Sequence, residues 1–241
     1  MFTGKDLANY CKQIYSNRNM WAYWYGTYGN KCTLEKYKGK KRQYPAHYTD
    51  DRYEGYMLDI EQHRYCADCV GMIKSFFWTG GVYGGEPKYA TNHCPDTSAN
   101  GMISLCKTQG DIKSIPDIPG IVVWKNGHIG VYVGDGYTVE MKGFNYDCIR
   151  AKVSNGNWKK WGMLPKSMIS YDEITPTHKN VTVTGGSVYI RTAPSKENGK
   201  ILGVAHKGDI LPYQGVISEN GWYLIIYNNK NGWISGKYSV I

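Results

Sequence analysis

The sequence predicts an α+β domain followed by a small all-β domain, and three observations carry that expectation. In the first half of the chain, apolar residues recur at helical spacing. From residue 121 the period changes to two, with Asn-Gly and Asp-Gly turn signals between the apolar runs. Past residue 171 only short apolar runs separated by turns remain. Helices first and antiparallel strands second is an α+β order.

Thr3 stands where an N-cap belongs, and Leu7, Tyr10, Cys11, Ile14 and Tyr15 follow at helical spacing. The lysine-rich segment 31–42 reads as a short helix or loop. A second helix is expected over about 51–62, with Tyr53, Tyr56, Met57 and Ile60 on one face. The next starts at or just before Cys69 and runs through Met72, Ile73, Phe76 and Phe77 to Gly80-Gly81, and another covers about 97–106 after Pro95. Ile121–Trp124, His128–Val133 and Tyr137–Met141 read as strands, joined by Lys125-Asn126-Gly127 and Gly134-Asp135-Gly136. A further strand is expected at Cys148–Val153. These elements make a first domain over 1–170. Residues 171–178 make the linker, and residues 179–241 a small all-β domain with barrel-like strand spacing.

A chain of 241 residues with 41% hydrophobic and 20% charged residues can bury a core without disulfide support. Tyrosine (22) and tryptophan (8) far outnumber phenylalanine (4), which suits sugar or peptide surfaces as well as cores. The net charge of +9 favours polyanionic partners such as nucleic acid, anionic membrane or an anionic cell wall. Without an arginine cluster or a nucleic-acid fold signature, nucleic acid is the weakest of these. No stretch approaches the length of a membrane span. The seven cysteines, all before residue 149, form no compact secreted framework and are expected to stay mostly reduced. Met1–Asp6 lacks the apolar core of a secretory signal, so the expectation is a protein held in the cytoplasm until release, or a trimmed secreted one.

The chemistry is expected at Cys69. It follows Asp68 and opens an apolar helix, so helix-terminal amides and a nearby imidazole would stabilise its thiolate. His128 lies 59 residues later on a strand, and Glu140 twelve residues beyond it on the paired strand. A tight hairpin makes residues 128 and 140 close to cross-strand partners, and the carboxylate can then orient the imidazole. Cysteine, histidine and an orienting group are the parts of a papain-like hydrolase, with the Cys69 backbone N–H available to an oxyanion. Cys66 and Cys69 also form a C-x-x-C, and His63, Cys66, Cys69, His93 and Cys94 are the alternative, a zinc or redox centre. That alternative ranks below the hydrolase, because a second C-x-x-C and a thioredoxin-like βαβ context are missing.

These residues resemble the NlpC-type bacterial cell-wall cysteine peptidases. The resemblance spans roughly residues 20–165 and lies in Tyr23-Trp24-Tyr25-Gly26-Thr27, Asp68-Cys69-x-Gly71, Pro119 to Trp124, Gly127 to Gly134, and the step to Glu140. It implies a papain-like α+β fold and cleavage of peptidoglycan stem peptides, commonly after γ-linked D-glutamate, with no cofactor and no metal. It also implies Cys69 as nucleophile, His128 as base, Glu140 as third polar residue, and Tyr23 and Asp68 as substrate-binding residues. Three positions depart from the family pattern: Val70 replaces a serine, Glu140 a histidine, and Ile121 an aspartate. An N-acetylmuramoyl-L-alanine amidase of a related cysteine fold, and an inactive wall-binding protein, are the alternatives.

Residues 179–241 are similar to bacterial SH3-like wall-binding domains. The similarity lies in Tyr189-Ile190-Arg191-Thr192-Ala193-Pro194, Gly221-Trp222-Tyr223 and Gly232-Trp233-Ile234-Ser235 through Tyr238. It implies wall binding, with Arg191, Trp222 and Trp233 as candidate contacts. The combined expectation is a monomeric peptidoglycan hydrolase of phage-lysin type, acting at the cell wall, with neither nucleic acid as a partner nor membrane insertion.

Overall fold

The computed structural model describes residues 1–171, 180–228 and 230–241. The chain divides into two compact units, Met1–Asp172 and Glu173–Ile241.

The first unit is α+β. Thr3 and Asp6 close a capping box that starts α1 (Gly4–Ser16), which buries Leu7, Tyr10, Cys11 and Ile14. Three short strands, β1 (Trp21–Tyr23), β2 (Tyr28–Lys31) and β3 (Tyr65–Ala67), form a small sheet in the order β1-β3-β2. Between β2 and β3 run α2 (Leu34–Gln43) and α3 (Tyr53–Glu61). The lysine-rich segment is therefore a helix, capped by Thr33. Tyr53 departs from its expected buried face: it opens α3 and is exposed. Next come α4 (Cys69–Trp78), buried along its whole length, and α5 (Ala99–Leu105).

Six antiparallel strands follow: β4 (Thr108–Asp111), β5 (Val122–Lys125), β6 (His128–Gly134), β7 (Tyr137–Gly143), β8 (Asp147–Lys152) and β9 (Lys160–Met163), in the order β4-β9-β5-β6-β7-β8. Both faces of this sheet are covered. Ile129, Val131, Val139 and Met141 join α1 and α4 in the main core, while Val123, Tyr132 and Trp158 share a second cluster with Ile118 and Ile121. An aromatic cluster of Trp24, Tyr37, Tyr48 and Tyr56 lies beneath α2 and α3. Arg64 ties these layers together. It pairs with Asp59 and Asp147 at 2.6 Å each, and also donates to the Trp21 carbonyl.

Tyr171, expected in the linker, belongs instead to the first unit. Its hydroxyl donates to the Gly120 carbonyl and accepts from the Leu164 N–H. The rest of the expected linker through residue 178 lies outside the described residues.

The second unit is all-β among its described residues. It contains β10 (Asn180–Val183), β11 (Ser187–Arg191), β12 (Ile201–His206), β13 (Ile210–Ile217), β14 (Trp222–Tyr227), β15 (Lys230–Ser235) and β16 (Ser239–Val240). Their order is β12-β11-β15-β14-β13-β10-β16, around a core of Val181, Val183, Ile190, Ala205, Ile225 and Ile234.

Candidate active site

Asp68 sets the position of Cys69. It is the N-cap of α4, with Oδ1 accepting from Gly71 N–H at 2.6 Å and Oδ2 from Gly26 N–H at 2.8 Å. The helix start is thus bound to the loop after Trp24. Gly71 permits the approach: a Cβ there would stand 1.8 Å from the Thr27 carbonyl oxygen. The Asp-Cys-x-Gly pattern is in this way a packing requirement as well as a chemical one.

His128 is held from the other side. Asn126-Gly127 forms the two-residue turn between β5 and β6, since Lys125 pairs with His128. Asn100, on α5, pins that turn by accepting from Gly127 N–H at 2.8 Å and donating to Asn126 Oδ1 at 3.0 Å. On the ring, Nε2 lies 2.5 Å from Glu140 Oε2. Trp158 stacks on the imidazole, with ring centroids 5.5 Å apart and planes 8° apart.

The register corrects the expected pairing. Val131 opposes Val139, so the ladder brings Gly130, not His128, across from Glu140. His128 and Glu140 are diagonal neighbours on one face. Gly130 leaves that diagonal open, because a Cβ there would lie 3.2 Å from both the Glu140 Cβ and the Trp158 ring.

Cys69 faces β6 one residue beyond His128, where the Ile129 backbone N–H is near enough to its sulfur to favour the thiolate. The thiol and the imidazole make no direct hydrogen bond in this resting geometry, among the described residues. Glu140 occupies Nε2, which leaves Nδ1 as the nitrogen for proton exchange with the sulfur. Burial, and then the charge of Asp68, push the Cys69 thiol up to about 12, against backbone N–H groups of Ile129, Val70 and Cys69 itself. A thiol so raised would rest neutral near neutral pH, where the sequence points to a thiolate. Burial, followed by the charges of Cys69 and Asp68, also raises the Tyr23 phenol well above its ordinary value. Asp147 fixes Tyr23 by accepting its backbone N–H at 2.8 Å.

The cysteines of the C-x-x-C part company. Cys69 lies in the main core, while Cys66 joins the aromatic cluster, hydrogen-bonds the Asn30 carbonyl and contacts the Cys32 thiol. Among the described residues no group of three or more His, Cys, Asp or Glu is arranged to hold a metal ion.

Asn100, Asp147 and Trp158 are the site residues that sequence reasoning missed, while Gly130 stands in the Gly127-to-Gly134 motif without a role assigned to it. Asn-Gly at 126–127 hinted at a turn worth pinning; nothing local to Trp158 announces its stack on His128. In the second unit, Trp222 is buried and Trp233 half-buried, while Arg191 donates to the Gly199 carbonyl at 2.7 Å. Trp222 is thus a packing residue, and Trp233 and Arg191 keep the more accessible positions.

No helix among the described residues is long and apolar enough to cross a membrane. No curated protein matches the chain. Among solved structures, the crystal structure of Ly7917 aligns at 15% identity and a TM-score of 0.23, over 70% of this chain and 82% of that one. Residues 186–240 match the family model described as Bacterial SH3 domain, which supports a cell-wall-binding SH3 domain in the second unit and a cell-wall-associated protein.

Proposed function

We propose that the first unit is a papain-like cysteine hydrolase of NlpC type that cleaves peptidoglycan stem peptides, and that the SH3 domain holds it on the wall. One observation carries the reading: Glu140 holds His128 Nε2 at 2.5 Å while Cys69 opens α4, with its sulfur under the influence of the Ile129 N–H beside His128. The motif resemblance supplies the substrate class. Tethering by a second domain raises the local concentration of wall bonds around Cys69.

In this reading Cys69 is the nucleophile. Its proton passes to His128 Nδ1 as the sulfur attacks the scissile carbonyl carbon. The carbonyl oxygen becomes an oxyanion, which the Cys69 backbone N–H at the helix start stabilises. The C–N bond then breaks, and the leaving amine takes the proton back from His128. Water, deprotonated by His128, hydrolyses the thioester and restores the thiol. Glu140 keeps the proton of neutral His128 on Nε2 and stabilises the imidazolium. Tyr23, whose phenol feels the charges of Cys69 and Asp68, is the residue assigned to grip the substrate beside Cys69. Asp68 holds the helix start through the Gly71 and Gly26 N–H groups, which places it beside Cys69 at the substrate side proposed here.

Digestion of purified peptidoglycan, with fragments identified by mass spectrometry, tests both the activity and the bond. New ends after γ-D-glutamyl residues, made by the wild type and not by Cys69→Ala, establish the endopeptidase. Release of whole stem peptides from muramic acid makes it an amidase instead. No release at all, with wall binding retained, overturns the hydrolase reading.

A further inference from the structure

An open cleft of about 700 Å³ lies at β8, the edge strand of the six-stranded sheet. Neither Cys69, His128 and Glu140 nor Tyr23 and Asp68 line it. Its walls carry three arginines, Arg18, Arg64 and Arg150, against one acid, Asp147. Arg64 and Asp147 neutralise each other at 2.6 Å, and Asp59 completes the coordination of Arg64. Asp147 has its second oxygen on the Tyr23 N–H. Shared between two carboxylates, Arg64 offers no free positive charge to the cleft.

Arg18 and Arg150 are different. Both are exposed, and neither has a carboxylate partner among the described residues. Each is held by an aromatic ring: Arg18 lies 4.9 Å over Tyr15, and Arg150 lies 3.8 Å over Tyr137. Stacking orients a guanidinium through its flat face and leaves its N–H edge to grip carboxylate or phosphate; Arg18 spends one Nη1–H on the Tyr15 carbonyl at 3.4 Å and keeps its other donors. Asn19, Ser16 and Tyr146 add neutral polar groups to the lining. An open cleft suits a group carried on a polymer better than a small molecule that must be enclosed.

We propose that this cleft is a second binding site of the first unit, which takes oxyanion groups borne along a polymer, phosphodiester or carboxylate, through Arg18 and Arg150. The site does not depend on the hydrolase reading. It would let the first unit engage an anionic polymer without help from the second.

Isothermal titration calorimetry of the full chain at low ionic strength tests it, with poly(glycerol phosphate) and poly(glutamate) oligomers of matched length as probes. The two probes distinguish a phosphate-bearing from a carboxylate-bearing ligand, and tight binding of either supports the site. R18Q/R150Q is expected to weaken the preferred probe at least about tenfold, as loss of two charge-assisted contacts implies. K38Q/K166Q removes the same charge from exposed positions outside the cleft and is expected to leave affinity unchanged. Three results would each overturn the proposal: no binding by the wild type, equal weakening in the two variants, or full binding by R18Q/R150Q.

Discussion

Glu140 Oε2 lies 2.5 Å from His128 Nε2 across a diagonal of the β6–β7 ladder, in a pocket where Glu140 is 3% exposed. The pair sets which imidazole nitrogen is engaged by the carboxylate and leaves Nδ1 free of it. Glu140→Gln keeps an acceptor for Nε2–H and removes the charge that stabilises the imidazolium. Its kcat/KM on peptidoglycan fragments is expected to fall about tenfold, or 1.4 kcal/mol. Glu140→Ala also frees the ring and is expected to cost about 10²-fold or more. Initial rates, with urea midpoints to show folding, make the comparison, and wild-type rates in both variants would remove Glu140 from the mechanism.

The neutral thiol of Cys69 makes a pH prediction. A thiol raised to about 12 by burial and by Asp68 gains thiolate only as pH climbs towards that value. Alkylation of Cys69 by iodoacetamide, located by peptide mapping, is therefore expected to accelerate continuously from neutral pH to about pH 10. A rate that levels off in mildly acidic buffer would instead reveal a preformed thiolate–imidazolium pair.

Gly71→Ala tests the seating of α4. The added methyl group meets the Thr27 carbonyl oxygen at 1.8 Å in a fully buried helix, so the helix start must retreat. A stability loss of about 3 kcal/mol or more is expected, read from urea denaturation. Displacing the Asp68 cap moves Cys69 as well, so activity per folded molecule should fall with stability.

Buried thiols give the chain an alkaline weakness. The Cys94, Cys106 and Cys148 thiols are each pushed up to about 12, chiefly by burial, from the ordinary thiol range. Their raised values favour the folded state fully below the unfolded thiol value, and that contribution is lost as pH rises from there towards the folded value. The thermal midpoint is expected to decline from about pH 9 upward. A midpoint flat through about pH 11 would contradict this assignment.

Much of this was legible in the sequence because its signals are local. Thr3 and Asp6 announce a cap, Asp68-Cys69 a helix start, and Gly134-Asp135-Gly136 a turn, which closes one residue tighter than expected because Gly134 pairs with Tyr137. The three-residue strands β1 and β3 were not legible, since their pairing is parallel and joins residues such as Ala22 and Cys66 that lie far apart in the chain. Short strands carry too few residues to show a period. The stack of Trp158 on His128 and the grip of Asn100 on the Gly127 turn are likewise tertiary, and no nearby residue signals them. The neutral state of Cys69 depends on burial, which motif reading does not supply.

The most direct test is the release of free amino groups from purified peptidoglycan by the wild type, Cys69→Ala and His128→Ala at equal concentration. Steady release by the wild type alone is the predicted result. Equal release by wild type and Cys69→Ala, or none by any of the three while wall binding persists, would contradict a Cys69 hydrolase.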